Sequence, residues 1–321
     1  MGMADTVTKE YIRSNEVFAD AFNYLIYDGE QVVKPALLQE LDTTEIAIPF
    51  ALGENENQTE DVVQKYRDVL KSAVIMQDSR ASYILLGVEN QTEIHYAMPV
   101  RNIIYDALQY GKQVSEVAKR HKSKGDRKGH NKGEYLSGFY KEDRIRPVIT
   151  LVVHFGADEW DGPLSLYEMM DLEDKKLLEF VQDYRIFLID PYKLANNDLE
   201  KFSTSLGDVL GYIKYSKDKK ALSKLLNDNQ EMIMDNDAAR VIRDVTNTPI
   251  YVPDGKGEID MCKAVRDMID ESKQEGMAAG ELNKAKKMAL KMYKKGDSIE
   301  EIAEMAEVSV DQVKEWINSA V

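Results

Sequence analysis

The chain has 321 residues, 43% of them hydrophobic, enough for a large core and, by length, about two domains. Its formal net charge of -15 argues against a surface coated with cations for nucleic acid, and its single Cys262 excludes an intramolecular disulfide, so a reducing cytoplasm fits best. No apolar stretch approaches the roughly 18 to 20 residues of a membrane span, and the first ten residues lack the apolar centre of a signal peptide.

A first helix is expected from about Ser14 to Tyr24, with Ser14 as its cap and Val17 and Phe18 on its apolar side. Glu16 and Asp20 lie four apart on one face of it. Acids here either favour the helix dipole or reach a site.

Two apolar runs follow, Asp68 to Met76 and Ala81 to Val88, separated by the polar turn Gln77-Asp78-Ser79-Arg80. This reads as a β-hairpin. In an antiparallel hairpin the start of one strand lies beside the end of the other, so Asp68 and Glu89 are expected at the same end. Two adjacent carboxylates repel unless a cation lies between them. The plain alternative leaves Asp68 a surface charge and makes Glu89 a partner for Arg67 or Arg101. Residues 91–101 then lead into an amphipathic helix with Ile104, Ala107, Leu108 and Val114 as its inner face.

The four dispersed histidines and one cysteine offer no zinc spacing. From Lys112 to Arg146, however, eleven Lys or Arg stand against five acids, a local net of +6. Its centre, residues 121–133, has no apolar periodicity and reads as a basic loop suited to a phosphate backbone or merely to solubility. Lys112, Lys122, Lys124, Arg127 and Lys128 are the candidate contacts to such a backbone, and Arg101 and Tyr105, one helical turn apart just after Glu89, either face the site or anchor the helix.

Residues 147–155 form a continuous β-branched run, expected as a strand in the middle of the sheet. Leu164 to Leu172 looks helical, and residues 184–190 read as another strand, stopped by Pro191. Residues 196–247 read as packing helices, and 247–257, dense in Pro and Gly, as a linker or exposed turn. Beyond Glu258 come one long charged helix and a helical pair over 297–318, with the capping boxes Ser298–Glu301 and Ser309–Gln312. Ile302, Met305, Ala306, Val308, Val313, Trp316 and Ile317 are its expected seam. The pair resembles a helix-turn-helix, yet its second helix is nearly neutral, which favours an oligomerisation or autoregulatory element.

Several of these segments resemble the recombination-promoting nuclease or putative transposase family of bacteria, a branch of the PD-(D/E)XK nuclease superfamily. They are the Asp68 strand, the Gly87-Val88-Glu89-Asn90-Gln91 element standing as E-x-Q in the E-x-K place, and Met98-Pro99-Val100-Arg101 with Tyr105. The helix around residues 15–23, the strand at 146–154 and the turn Trp160-Asp161-Gly162-Pro163 extend the likeness over nearly the whole chain.

The resemblance implies an α/β fold: a restriction-endonuclease-like mixed sheet core flanked by helices in residues 1–195, then a helical packing region and linker at 196–257 and an all-α element at 258–321. It implies a metal-dependent DNA endonuclease with Mg²⁺ or Mn²⁺ on Asp68 and Glu89 and an oxygen from the Asn90 carbonyl, acting in recombination or in defence against mobile DNA. Asp20, ahead of Glu16, would be the further acid from the first helix. Gln91 takes the place of the superfamily lysine that polarises the attacking water. It can hydrogen-bond that water but carries no charge. An RNase-H-like transposase would need a third widely spaced acid and a strongly basic DNA-binding domain, and neither is legible. A catalytically inactive nuclease-like protein that binds DNA or a partner stays open, as does self-association through the C-terminal helices.

Overall fold

In the computed structural model, residues 2–41, 44–45, 65–66, 68–77, 80–125, 131–172, 174–228 and 232–319 are described. Arg67, the turn residues 78–79, and Arg127 and Lys128 lie outside the described residues.

The chain opens with α1 (Met3–Arg13) and α2 (Asn15–Tyr27). Ser14 separates them, and its hydroxyl accepts from Val17 N at 3.3 Å, the expected cap. Short strands β1 (Gln39–Glu40), β2 (Thr44–Glu45) and β3 (Lys65–Tyr66) precede the hairpin of β4 (Val69–Gln77) and β5 (Arg80–Gln91). Helix α3 (Met98–Lys124) follows and stops where Gly125 adopts φ +63°, a left-handed conformation that favours glycine. After α4 (Lys132–Ser137) come β6 (Val148–His154) and β7 (Phe187–Ile189).

The main sheet is mixed, in the order β1-β4-β5-β6-β7. β1, β4 and β5 run antiparallel, whereas β6 and β7 add in parallel, and β2 and β3 form a separate two-stranded ribbon. The apolar run at 147–155 is therefore an interior strand, as its composition predicts. Between β6 and β7 the expected helix at Leu164–Leu172 does not form. Ser165 bridges to Arg185 and only Tyr167–Met169 makes a short 3₁₀ turn. Tyr167 fixes this segment through its hydroxyl, which donates to the Leu178 and Val181 carbonyls.

Residues 196–248 hold α5 (Asn196–Leu199), α6 (Leu206–Tyr215), α7 (Lys219–Asp228), β8 (Ile233–Asp235) and α8 (Asn236–Thr246). They belong to the same compact unit as the sheet, which comprises residues 1–248 and 252–259. β8 pairs with β9 (Glu258–Asp260).

A second unit comprises residues 249–251 and 260–321. It holds α9 (Met261–Lys295), α10 (Ile299–Met305) and α11 (Val310–Asn318). Ala289, Ile302, Ala303, Val313, Trp316 and Ile317 form its core. The expected seam is right except at Met305, which is 62% exposed because Ala303 takes the inward position. Ser298 and Glu301 make the expected capping box. Among the described residues no helix is long and apolar enough to cross a membrane.

Candidate nuclease centre

The hairpin register decides the site. Val69 faces Val88 and Leu70 faces Gly87, so the next step outward sets Asp68 against Glu89. The main-chain N–H of Asn90 donates to Asp68 Oδ2 at 2.8 Å, which pins that carboxylate to the end of β5. Because side chains alternate along a strand, Asp68 and Leu70 share a face with Leu85, Gly87, Glu89 and Gln91. That face is covered by α3.

Helix α3 reaches the carboxylates at its N-terminal end. Arg101 Nη2 lies 2.9 Å from Glu89 Oε2, and Glu89 is fully buried. Arg101 Nε donates to the Tyr105 hydroxyl at 3.2 Å. Burial works against the Arg101 charge, but Glu89, Tyr105 and Asp68 outweigh it and hold the guanidinium more firmly protonated. The Tyr105 phenol is pushed up by burial, then by Glu89 and Asp68. Arg101 and Tyr105 thus lie beside Glu89, one turn apart.

The opposite face meets α1. Asn90 points there, and its amide donates to Thr8 Oγ1 at 2.6 Å. From α1 also comes Lys9, whose ammonium is 3.0 Å from Asp68 Oδ1 and 3.3 Å from Asp5. Burial lowers the lysine's affinity for its proton, but the two carboxylates prevail and raise it. Sequence reasoning missed Lys9; the Asp5–Lys9 spacing of four residues on a short amphipathic helix was the available signal.

Gln91, two residues beyond Glu89 on the same face, is buried, and its amide donates to the Asn90 carbonyl at 2.9 Å. Asp68, Glu89, Gln91 and that carbonyl are therefore together at one rim of the sheet.

The buried side of α3 is not the expected Ile104, Ala107, Leu108 and Val114. It is Met98, Pro99, Asn102, Tyr105, Asp106, Gln109 and Val117, interrupted by the polar Asn102, Asp106 and Gln109. Asp106 accepts from Thr150 Oγ1 on β6 at 2.5 Å and from the Tyr184 hydroxyl at 2.7 Å. An apolar periodicity search passes over such a face because its inward residues are satisfied by partners distant in sequence.

The acids of α2 belong elsewhere. Asp20 is buried, and its carboxylate accepts from the main-chain N–H and hydroxyl groups of both Ser203 and Thr204, at 2.6 to 3.1 Å. It anchors the entry to α6. Glu16 is exposed and accepts from Ser14 Oγ at 3.1 Å. Of the two candidates for a further acid from the first helix, Asp20 is engaged at the start of α6 and Glu16 at its own helix start. Lys112, Lys122 and Lys124 are exposed along the C-terminal half of α3.

The donors at the rim fit a hard divalent cation in type. Mg²⁺ is commonly held by one or two carboxylates together with waters and substrate phosphate oxygens, and the rim offers two carboxylates and a main-chain carbonyl. Among the described residues no cluster of three or more His, Cys, Asp or Glu side chains could hold a metal by itself. The two carboxylates are at present balanced by the charges of Lys9 and Arg101.

No curated protein and no solved structure is detectably similar to the chain. A family model does match: that of the YhgA-like putative transposases, over residues 50–241, a span that holds the hairpin, α3, β6 and the Asp68–Glu89–Gln91 rim. This is a PD-(D/E)XK-like nuclease family, which points to a nuclease-like role in DNA transposition or recombination. With more than half of its length matched, the chain belongs to the YhgA-like putative transposase family.

Proposed function

We propose that the chain is a metal-dependent DNA endonuclease that hydrolyses phosphodiester bonds, acting in the cytoplasm in DNA recombination or in defence against mobile DNA. One observation carries the reading. Asp68 and Glu89 lie on adjacent antiparallel strands at one end and one face, with Gln91 two residues on.

Asp68, Glu89 and the Asn90 carbonyl would hold Mg²⁺ or Mn²⁺. When bound, such an ion lowers the pKa of a coordinated water and offsets charge developing on the phosphate. The chain's own groups supply the rest. The Gln91 amide, released from the Asn90 carbonyl, both donates to and accepts from a water, fixing its direction of attack without adding charge. Arg101 and Lys9 are ion-paired with the carboxylates and would be cations beside a bound phosphate. Tyr105 holds the Arg101 side chain in place.

A second reading has its own observation. Both carboxylates already have cationic partners, as in a nuclease-like protein that binds DNA or a partner without cutting. Cleavage of supercoiled plasmid with Mg²⁺ or Mn²⁺ separates the two. The endonuclease reading expects nicked or linear product from the wild type and none from Asp68→Asn or Glu89→Gln. Equal cleavage by all three rejects this site, and no cleavage by the wild type with either metal favours the binding reading. The C-terminal unit is the proposed route to self-association; in light scattering the full chain should give a multiple of its own mass, and the chain without residues 261–321 the mass of a single truncated copy.

A further inference from the structure

The sheet face that carries Asp68 and Glu89 does not end at the rim. Toward the other end of the hairpin it opens into a groove of about 520 Å³ between α3 and the sheet. The floor is apolar, with Leu70 and Leu85 on the same face as the carboxylates. The walls carry Lys112 and Arg120 from α3, and Arg144 and Arg146 from the segment before β6, against the single acid Glu116. In a chain of net charge -15, four cations lining one groove mark a local reversal of sign.

The groove is built rather than incidental. Gln113 of α3 clamps the Arg146 main chain from both sides, donating to its carbonyl at 3.1 Å and accepting from its N–H at 2.7 Å. Arg144 is steadied by donating to the Lys141 and Asp143 carbonyls. Arg120 lies near enough to Asp143 to favour that carboxylate's charge, and all four cations of the groove are exposed. Leu85 and Glu89 are four residues apart on one strand, about 13 Å, or roughly the rise of four base pairs.

We propose that this groove is the track for the phosphodiester backbone of duplex DNA, with Lys112, Arg120, Arg144 and Arg146 contacting successive phosphates as the strand runs toward the Asp68–Glu89 rim. The proposal rests on the nuclease reading only for the direction of the strand; the binding itself stands on the groove. It shifts the main electrostatic contact from the basic loop around residues 121–133 to residues on α3 and ahead of β6. The partners expected of such a track are phosphates rather than bases, so binding is indifferent to sequence and falls steeply with salt.

The test is fluorescence anisotropy with a labelled 30-base-pair duplex in EDTA, over a range of KCl concentrations. Each phosphate contact contributes about 0.9 to the slope of log K against log salt. The variant Lys112→Gln/Arg120→Gln/Arg144→Gln/Arg146→Gln is expected to lower that slope by about 3 and to weaken binding at least about tenfold at low salt. Its melting curve should match the wild type because the four side chains are exposed. Arg120→Lys/Arg144→Lys/Arg146→Lys keeps the charges and should keep the slope. A comparison variant, Lys122→Gln/Lys124→Gln, should change it less than the groove variant.

A wild-type slope retained by the groove variant overturns the track, as does a loss confined to the Lys122/Lys124 variant. A wild type that binds no duplex at any salt overturns it too. If the wild type cuts plasmid while the groove variant binds unchanged, the track falls and the nuclease reading survives. If binding depends on the groove but no metal supports cleavage, the track survives and the nuclease reading falls.

Discussion

The two faces of the β4–β5 hairpin are built from the same strands but on different terms. Toward α1 and α2 the sheet presents Val69, Ala73, Leu86 and Val88, all buried, and the Lys71 stem, whose ammonium stands 4.9 Å over the Phe18 ring and donates to Arg13 O and Asn15 Oδ1. Toward α3 it presents Leu70 and Leu85 together with Asp68, Glu89 and Gln91, beside Thr150 of β6, under a helix whose inward residues include Asn102, Tyr105, Asp106 and Gln109. The first face stabilises by removing apolar surface from water. The second gives up part of that gain to hold paired charges and buried polar groups, which is costly unless each is partnered and is the pattern expected of a site.

The largest test of this contrast is at Glu89. Glu89→Gln keeps the volume but removes the charge, and plasmid cleavage with Mg²⁺ should fall by about 10³-fold or more. Removing the hydrogen-bonding amide is milder: Gln91→Ala should reduce cleavage by about 10- to 100-fold, read from initial rates at saturating metal. A drop as large as that of Glu89→Gln would make Gln91 more than a water-positioning group.

Asp20 sharpens the comparison from outside both faces. Asp20→Asn removes half the acceptor capacity that ties Ser203 and Thr204 to α2, and urea denaturation should show a loss of about 2 to 3 kcal/mol. Cleavage should fall no further than the folded fraction does. A specific activity loss in fully folded Asp20→Asn would return that residue to the catalytic set.

The smallest effect concerns two lysines. Burial lowers the pKa of Lys71, so near and below 10.5 the unfolded chain binds more protons than the native one, and this residue's contribution to stability rises with pH in that window. Lys9 has the opposite sign. Its pKa is raised by Asp68 and Asp5, so its contribution is complete below 10.5 and is lost as pH climbs through the higher native value. Denaturation of Lys9→Met and Lys71→Met against wild type should show the Lys71 contribution rising between pH 8 and pH 10.5 and the Lys9 contribution falling only above pH 10.5. The same direction for both would mean that the two lysines do not occupy the contrasting environments described.

What was legible in the sequence follows the same divide. The hairpin, the meeting of Asp68 with Glu89, the interior strand at 148–154 and the helical C-terminal pair all announce themselves through apolar period or capping residues. The inner face of α3 did not, because Asn102, Asp106 and Gln109 break the apolar period for which a helix is usually read. Glu16 and Asp20 had suitable spacing for a site, but spacing does not reveal that Ser203 and Thr204, nearly two hundred residues on, consume the Asp20 carboxylate. Lys9 was hidden by the shortness of α1. The basic island was visible as a net charge, yet its grouping into a groove depends on Leu70, Leu85 and Arg146 coming together across the fold.

The central claim is that Asp68 and Glu89 act on one divalent ion. Diffraction from crystals grown with Mn²⁺, recorded for its anomalous signal, tests it most directly. The account predicts a peak within coordination distance of both carboxylates, with Arg101 or Lys9 drawn away from its partner. A clean map showing Arg101 still on Glu89 and no peak at the rim, from protein that cleaves DNA with Mn²⁺, would contradict it.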